Sequence, residues 1–144
     1  MYKKILIPLD NSKTDDAILR HIRPLAKMTG ADLVFVHVAE GYGARFKEQL
    51  NLQDSEEIKE DRLYLESRQK EFQAEGFSVQ IHLLFGDPTK EILAIAEKES
   101  CDLIAMSTHG HRFLTDFILG SVANDLRHRT TIPILMVRAA ESPH

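Results

Sequence analysis

The stretch Asp102-Leu103-Ile104-Ala105-Met106-Ser107-Thr108-His109-Gly110, followed after nine residues by Gly120-Ser121, decides how this chain is read. The apolar run Leu103 to Met106 is a buried strand, Gly110 is a turn, and a helix is expected over residues 115–129. Strand, glycine turn and helix start together present backbone N–H groups to an anion. A glycine at that turn suits a positive φ or a phosphate pressed against the main chain. Gly120, inside the expected helix, costs about 1 kcal/mol relative to alanine. It therefore marks either close helix packing or a ligand beside the helix, and both readings stand.

Working outward, the chain alternates strands and helices. Ile5-Leu6-Ile7, ended by Pro8, reads as a buried strand within residues 3–10. Asp10, Asn11 and Ser12 are candidate N-caps for a helix with Asp15 and Asp16 in its first turn. Its apolar stripe is Ile18, Ile22, Leu25 and Ala26, with a kink expected at Pro24 before Gly30. Residues 32–38 (Asp-Leu-Val-Phe-Val-His-Val) are apolar on both faces and so form a central strand. Residues 40–54, with Gly41 and Gly43, read as a long loop. Ile58, Leu65 and Phe72 then recur on one helical face until Gly76.

Phe77, Val79, Ile81, Leu83 and Phe85 alternate with Ser78, Gln80 and His82, the pattern of an edge strand. Asp87 is placed to cap the next helix, with Pro88 at its first position and Ile92, Ile95 and Ala96 on its buried face. The helix after the opening stretch carries Ile118, Val122 and Leu126, and Ile132-Pro133-Ile134-Leu135-Met136-Val137 is the last strand. This order predicts an α/β fold, a doubly wound parallel sheet with helices on both faces. Such sheets bind ligands at the carboxyl ends of their strands, where the winding reverses. With the first and fourth strands as neighbours, that crevice lies between Pro8-Leu9-Asp10 and residues 106–110.

Composition narrows the function. The 144 residues are expected to form one domain over 1–144, and 43% hydrophobic with 28% charged residues is an ordinary globular balance. A formal charge of -4 without a basic stripe argues against a nucleic-acid partner. Arg127-His128-Arg129 reads as a solvated helix end. The apolar run Ile5-Leu6-Ile7 is too short for a signal peptide or a membrane span, so the expectation is a cytoplasmic protein with no membrane partner. Cys101, in an apolar context, reads as an inert buried thiol.

Ser107-x-x-Gly110-x9-Gly120-Ser121, together with Lys4-Ile5-Leu6-Ile7-Pro8-Leu9-Asp10 and the last strand, resembles the universal stress protein family over essentially the whole chain. The resemblance implies a Rossmann-like five-stranded parallel sheet in the order 3-2-1-4-5, and a homodimer. It implies ATP or AMP as ligand, with Mg2+ carried by the phosphates and no metal held by the protein alone. Gly110, Gly120 and Ser121 would face the phosphates and Asp10 the ribose, while Pro8, Val38, Met106 and Val122 would line the adenine pocket. Leu9, His109, His111 and Arg112 complete the candidate nucleotide-contacting set. The chain departs from the nucleotide-binding branch at Ser107, which stands where that branch has glycine.

Each of these residues also has an ordinary reading. Asp10 suits a helix cap, Val38, Met106 and Val122 suit plain core, and Arg112 a solvated loop. His109-x-His111 lacks a cysteine or fixed carboxylate beside it, and His37 and His82 do not complete a ligand set. Catalysis has no framework: Gly-x4-Gly-Lys-Ser/Thr, a nucleophile elbow and His-Glu-x-x-His are all absent from the sequence. The expected function is therefore an ATP-binding stress-response sensor or regulator that is not an enzyme and acts through an unidentified protein partner. The alternatives are a dimeric interaction protein of the same family without nucleotide, and a slow ATPase. The dimer is expected through Ile132-Pro133-Ile134-Leu135-Met136-Val137, since a bare apolar edge invites pairing with its two-fold copy.

Overall fold

Ile5, Leu6 and Ile7 are fully buried, because their strand has a neighbour on each side and helices over both faces. The structure, a computed structural model, describes residues 1–39, 52–108 and 118–139, the side chains of 52–55 and 118–121 excepted. Strand β1 (Lys4–Pro8) pairs in parallel with β2 (Asp32–Ala39), from Lys4 opposite Asp32 to Pro8 opposite Val36. On its other side it pairs with β4 (Leu103–Thr108), Ile5 facing Leu103 and Leu6 facing Ile104. With β3 (Val79–Phe85) beside β2 and β5 (Ile134–Arg138) beside β4, the sheet is five-stranded, all parallel, in the order 3-2-1-4-5. The winding reverses between β1 and β4, as expected.

Strand alternation sends side chains to two separate cores. Ile5, Ile7, Phe35 and Ala105 pack with Ile18 and Ile22 of α1 (Asp15–Thr29) and with Leu65 and Phe72 of α2 (Leu52–Ala74). Leu6, Val34, Ile104 and Met106 pack with Ile92 and Ile95 of α3 (Pro88–Lys98) and with Val122 and Leu126 of α4 (Ile118–Leu126). Phe72 anchors the first core, its ring edge-on to Phe35 at 5.1 Å between centroids and the Arg23 guanidinium 4.2 Å above it.

Several boundaries differ from the sequence reading, each for a local reason. Helix α1 begins at Asp15 with Thr14 as N-cap, and Thr14 makes no side-chain cap bond. The expected caps lie in the preceding turn, where Asp10 Oδ1 accepts from the hydroxyls of Ser12 and Thr14. The helix continues through Pro24 to Thr29, and Gly30 closes it at φ 72°, its N–H donating to the Ala26 carbonyl at 2.8 Å. Residues 52–54, assigned to the long loop, belong to α2, and the rest of that loop lies outside the described residues.

Helix α3 starts as read, with the Asp87 carboxylate accepting the Lys90 N–H at 2.9 Å. Helix α4 ends at Leu126, short of the expected residue 129. There the bonds tighten, His128 N–H reaching the Asp125 carbonyl and Arg129 N–H that of Leu126. Its expected start at 115 lies outside the described residues. The last strand runs Ile134–Arg138, two residues later at its start than expected. Ile132 N–H is taken by Thr130 Oγ1 at 3.1 Å, and Pro133, with no N–H to give, enters only as the acceptor of Ile104 N–H.

Candidate functional site

At the carboxyl ends of β1 and β2 a recess of about 50 Å³ is lined by Pro8, Leu9, Asp10, His37, Val38, Pro88 and Ile92. β1 ends at Pro8, and Leu9 prolongs its pairing through Leu9 N–H to the Val36 carbonyl at 2.8 Å. The chain then turns into α1, which brings Asp10 to the rim. The recess is walled on the far side by the first turns of α3, fixed there by the Asp87 cap and by Pro88. A larger groove of about 450 Å³, lined by Leu93, Glu97, Arg129, Thr130, Thr131 and Ile132, lies at the amino end of β5, away from the strand carboxyl ends.

Four sequence candidates, Pro8, Leu9, Asp10 and Val38, therefore share one recess. Met106, fully buried, and Val122 belong with Val38 and Ile92 to the core on the α3 and α4 face. Ser107 does not join them. Its side chain is directed to the opposite face, where its hydroxyl donates to the Thr14 carbonyl at 2.6 Å and accepts the Ile18 N–H at 3.1 Å. That hydroxyl thus touches the C=O and the N–H that frame the first turn of α1. His109, Gly110, His111 and Arg112 lie outside the described residues. Gly120 and Ser121 lie in α4.

The turn carrying Asp10 is held from two directions. Asp15, without exposed surface, accepts the N–H groups of Asp10 and Asn11, each at 3.0 Å, and the Tyr64 hydroxyl of α2. Burial, reinforced by the charge of Asp10, pushes the Asp15 carboxyl up to about 7. Tyr64 is pushed up as well, by burial first and by the adjacent Asp15. On the other side Asn11, at φ 62°, donates its side-chain amide to Asp61 Oδ1 at 3.0 Å. Asp61 Oδ2 lies 3.2 Å from His37 Nε2, and His37 Nδ1 lies 2.8 Å from the Leu9 carbonyl.

His37, Pro88 and Ile92 line the recess without having been assigned to it from the sequence. Pro88 and Ile92 carried a signal, since a helix capped at Asp87 directly after a strand must start at that strand's carboxyl end. His37 had none, because its partner Asp61 comes from α2, far along the chain. Among the described residues no group of three or more His, Cys, Asp or Glu is arranged to hold a metal. Cys101 is buried, and burial pushes its thiol up to about 11, so it offers no nucleophile.

A doubly wound parallel sheet with an apolar recess at its strand carboxyl ends, beside the reversal of strand order, defines a Rossmann-like α/β protein. Residues 1–138 match the universal stress protein family, and the chain belongs to that family. Universal stress protein MJ0577 of Methanocaldococcus jannaschii is 29% identical, over 99% of this chain and 98% of its own. Its solved structure superposes with a TM-score of 0.84, covering 99% of both chains. Universal stress protein MJ0531 of the same organism is 32% identical over 96% of this chain and 83% of its own. A universal stress protein from Archaeoglobus fulgidus solved in complex with dAMP is 23% identical and shares the fold at a TM-score of 0.69, over 94% of this chain and 98% of that one. Among the described residues no helix is long and apolar enough to cross a membrane.

Proposed function

We propose that this chain is an adenine-nucleotide-binding regulator of the stress response, taking ATP with Mg2+ carried by the phosphates. The observation that carries this reading is the convergence of Pro8, Asp10 and Val38 on one recess at the carboxyl ends of β1 and β2, on the β2 side of β1 rather than between β1 and residues 106–110, with Met106 and Val122 in the core of the same face. Apolar walls suit a base and the Asp10 carboxylate suits ribose hydroxyls. Gly110, His109, His111, Arg112, Gly120 and Ser121 would receive the phosphates. The family resemblance supports the same arrangement, and the dAMP complex of the Archaeoglobus relative supports a nucleotide in this fold. The sequence carries no Gly-x4-Gly-Lys-Ser/Thr to put a lysine on the γ-phosphate, which supports a role in binding rather than turnover, in the cytoplasm and through a protein partner.

Calorimetric titration of nucleotide-stripped protein with Mg-ATP, with AMP and GTP as controls, tests this. Micromolar ATP binding that Gly110→Val abolishes is expected. Silence with every nucleotide from folded protein overturns it.

A second reading, a dimeric interaction protein without nucleotide, draws on Ser107 in the motif and on the edge strand β5, where Met136 is 47% exposed. Because the Ser107 side chain turns to α1, its Cβ does not intrude on the recess, which favours the first reading. In either reading β5 pairs with its two-fold copy, so a dimer mass is expected in light scattering and a monomer mass at micromolar concentration refutes it.

A further inference from the structure

We propose that the His37–Asp61 ion pair is a positioning device of the nucleotide recess, clamping the turn that carries Asp10 from the β2 and α2 side while His37 is an imidazolium. The inference rests on the nucleotide reading of that recess, but its core is a matter of hydrogen-bond chemistry. The Leu9 carbonyl can only accept, so His37 Nδ1, 2.8 Å away, must carry a proton. Asp61 Oδ2, 3.2 Å from Nε2, belongs to a carboxylate whose other oxygen already accepts from Asn11 Nδ2. An ionised carboxylate accepts too, so Nε2 must be protonated as well. Two acceptors on two ring nitrogens define a charged imidazole.

The bridge runs from β2 through His37 to the end of β1 at Leu9, and through Asp61 of α2 to Asn11. It therefore spans the two residues on either side of Asp10. Asn11 sits in the left-handed region at φ 62°, which asparagine tolerates better than most side chains and which aims its amide at Asp61. When Nε2 loses its proton, two lone pairs face each other at the Asp61 contact, Asp61 is pushed from His37, and the link from Leu9 to Asn11 is broken.

The charges around His37 favour its protonated form. Burial alone lowers its proton affinity, and the Asp61 hydrogen bond, the Leu9 carbonyl and the charges of Asp61 and Asp15 outweigh that to leave it raised. Burial likewise opposes the charge on Asp61, and its bonds to His37 and Asn11 overcome this to leave its carboxyl lowered. Asp10 lies on the recess wall beside His37, while Tyr64 and Arg68 of α2 reach the cluster through Asp15. From α3 only Pro88 and Ile92 line the recess.

The test compares wild type with Asp61→Asn in Mg-ATP titrations from about pH 5.5 to about pH 8.5, with the ring nitrogens of His37 followed by NMR in nucleotide-free protein. Asp15 titrates in both proteins, so the ratio of their affinities isolates His37. Where the NMR shows wild-type His37 doubly protonated, the variant is expected to bind ATP about ten-fold more weakly, the scale of a charge-assisted hydrogen bond. The two affinities should converge only at the alkaline end, once wild-type His37 has lost its second proton and wild type too is without the ion pair. In wild type at neutral pH both ring nitrogens should show the protonated signature, and Asp61→Asn should move their titration to lower pH. An affinity ratio independent of pH, or a neutral His37 in folded wild type at neutral pH, overturns the proposal. Absence of ATP binding at every pH, with His37 still titrating as an imidazolium clamped to Asp61, instead overturns the nucleotide reading and leaves the clamp standing.

Discussion

The Tyr64 hydroxyl, on α2, donates to Oδ2 of Asp15, the first residue of α1, at 2.5 Å. It is a side-chain donor from another element to a carboxylate with no exposed surface, which otherwise takes the N–H groups of Asp10 and Asn11. Burial, with the charge of Asp10 added, raises the Asp15 carboxyl from 3.8 to about 7. Between those values the folded chain holds a proton that the unfolded chain releases. The contribution of Asp15 to stability therefore falls as pH rises from about 4 to about 7, and levels off above. Asp15→Asn removes that titration, so its urea midpoint should gain on wild type across this range. Tyr64→Phe should cost about 1–3 kcal/mol, more above pH 7 than below pH 5, because the charged form needs the donor more.

Ser107→Gly restores the glycine of the nucleotide-binding pattern and separates two roles of this position. The hydroxyl bonds to Thr14 and Ile18 disappear, and stability should fall by about 1–2 kcal/mol in chemical denaturation. ATP affinity should stay within about two-fold, because the lost side chain faces α1 and the recess opens on the other face. A large gain in affinity would mean that Ser107 obstructs the ligand.

Asp87→Ala removes the one side-chain cap at the start of α3, the carboxylate that accepts Lys90 N–H. A loss of about 1 kcal/mol is expected. The same helix start walls the recess, so amide exchange at Thr89 and Lys90 should accelerate in the variant. Asp87→Asn, which keeps an acceptor, should recover most of the loss.

Cys101 should resist alkylation in the native protein. Its thiol is buried and raised to about 11, so little thiolate exists at about pH 8. Iodoacetamide followed by mass spectrometry should show modification only after denaturant is added. Fast labelling of folded protein would contradict the burial.

Much of the fold was legible because its signals are local. Ile5-Leu6-Ile7 and the central strand at residues 32–38 announce burial on both faces, and they occupy the middle of the sheet. Leu65 and Phe72, seven apart, became the buried seam of α2. Where local signals competed, the reading slipped. Asp10 and Ser12 looked like helix caps, yet their polar groups satisfy each other within the turn, and α1 starts later. Ile132 looked like the start of a strand, but its N–H is bound by Thr130.

The sequence by itself determined the order of the elements, the two-sided burial of the central strands, the cap at Asp87 and the grouping of Pro8, Asp10 and Val38 near strand ends. The first three follow from period, branching and capping within a short window of chain, and the grouping of Pro8, Asp10 and Val38 from the resemblance to the universal stress protein family. Only the tertiary structure decided that Ser107 turns from the recess toward α1, that Asp15 folds back onto Asp10 and Asn11, and that His37 meets Asp61. The reason is physical: strand alternation limits a side chain to one of two faces, but what waits on that face comes from a distant helix. A buried carboxylate or imidazole takes its protonation from those distant partners, and no window of sequence contains them.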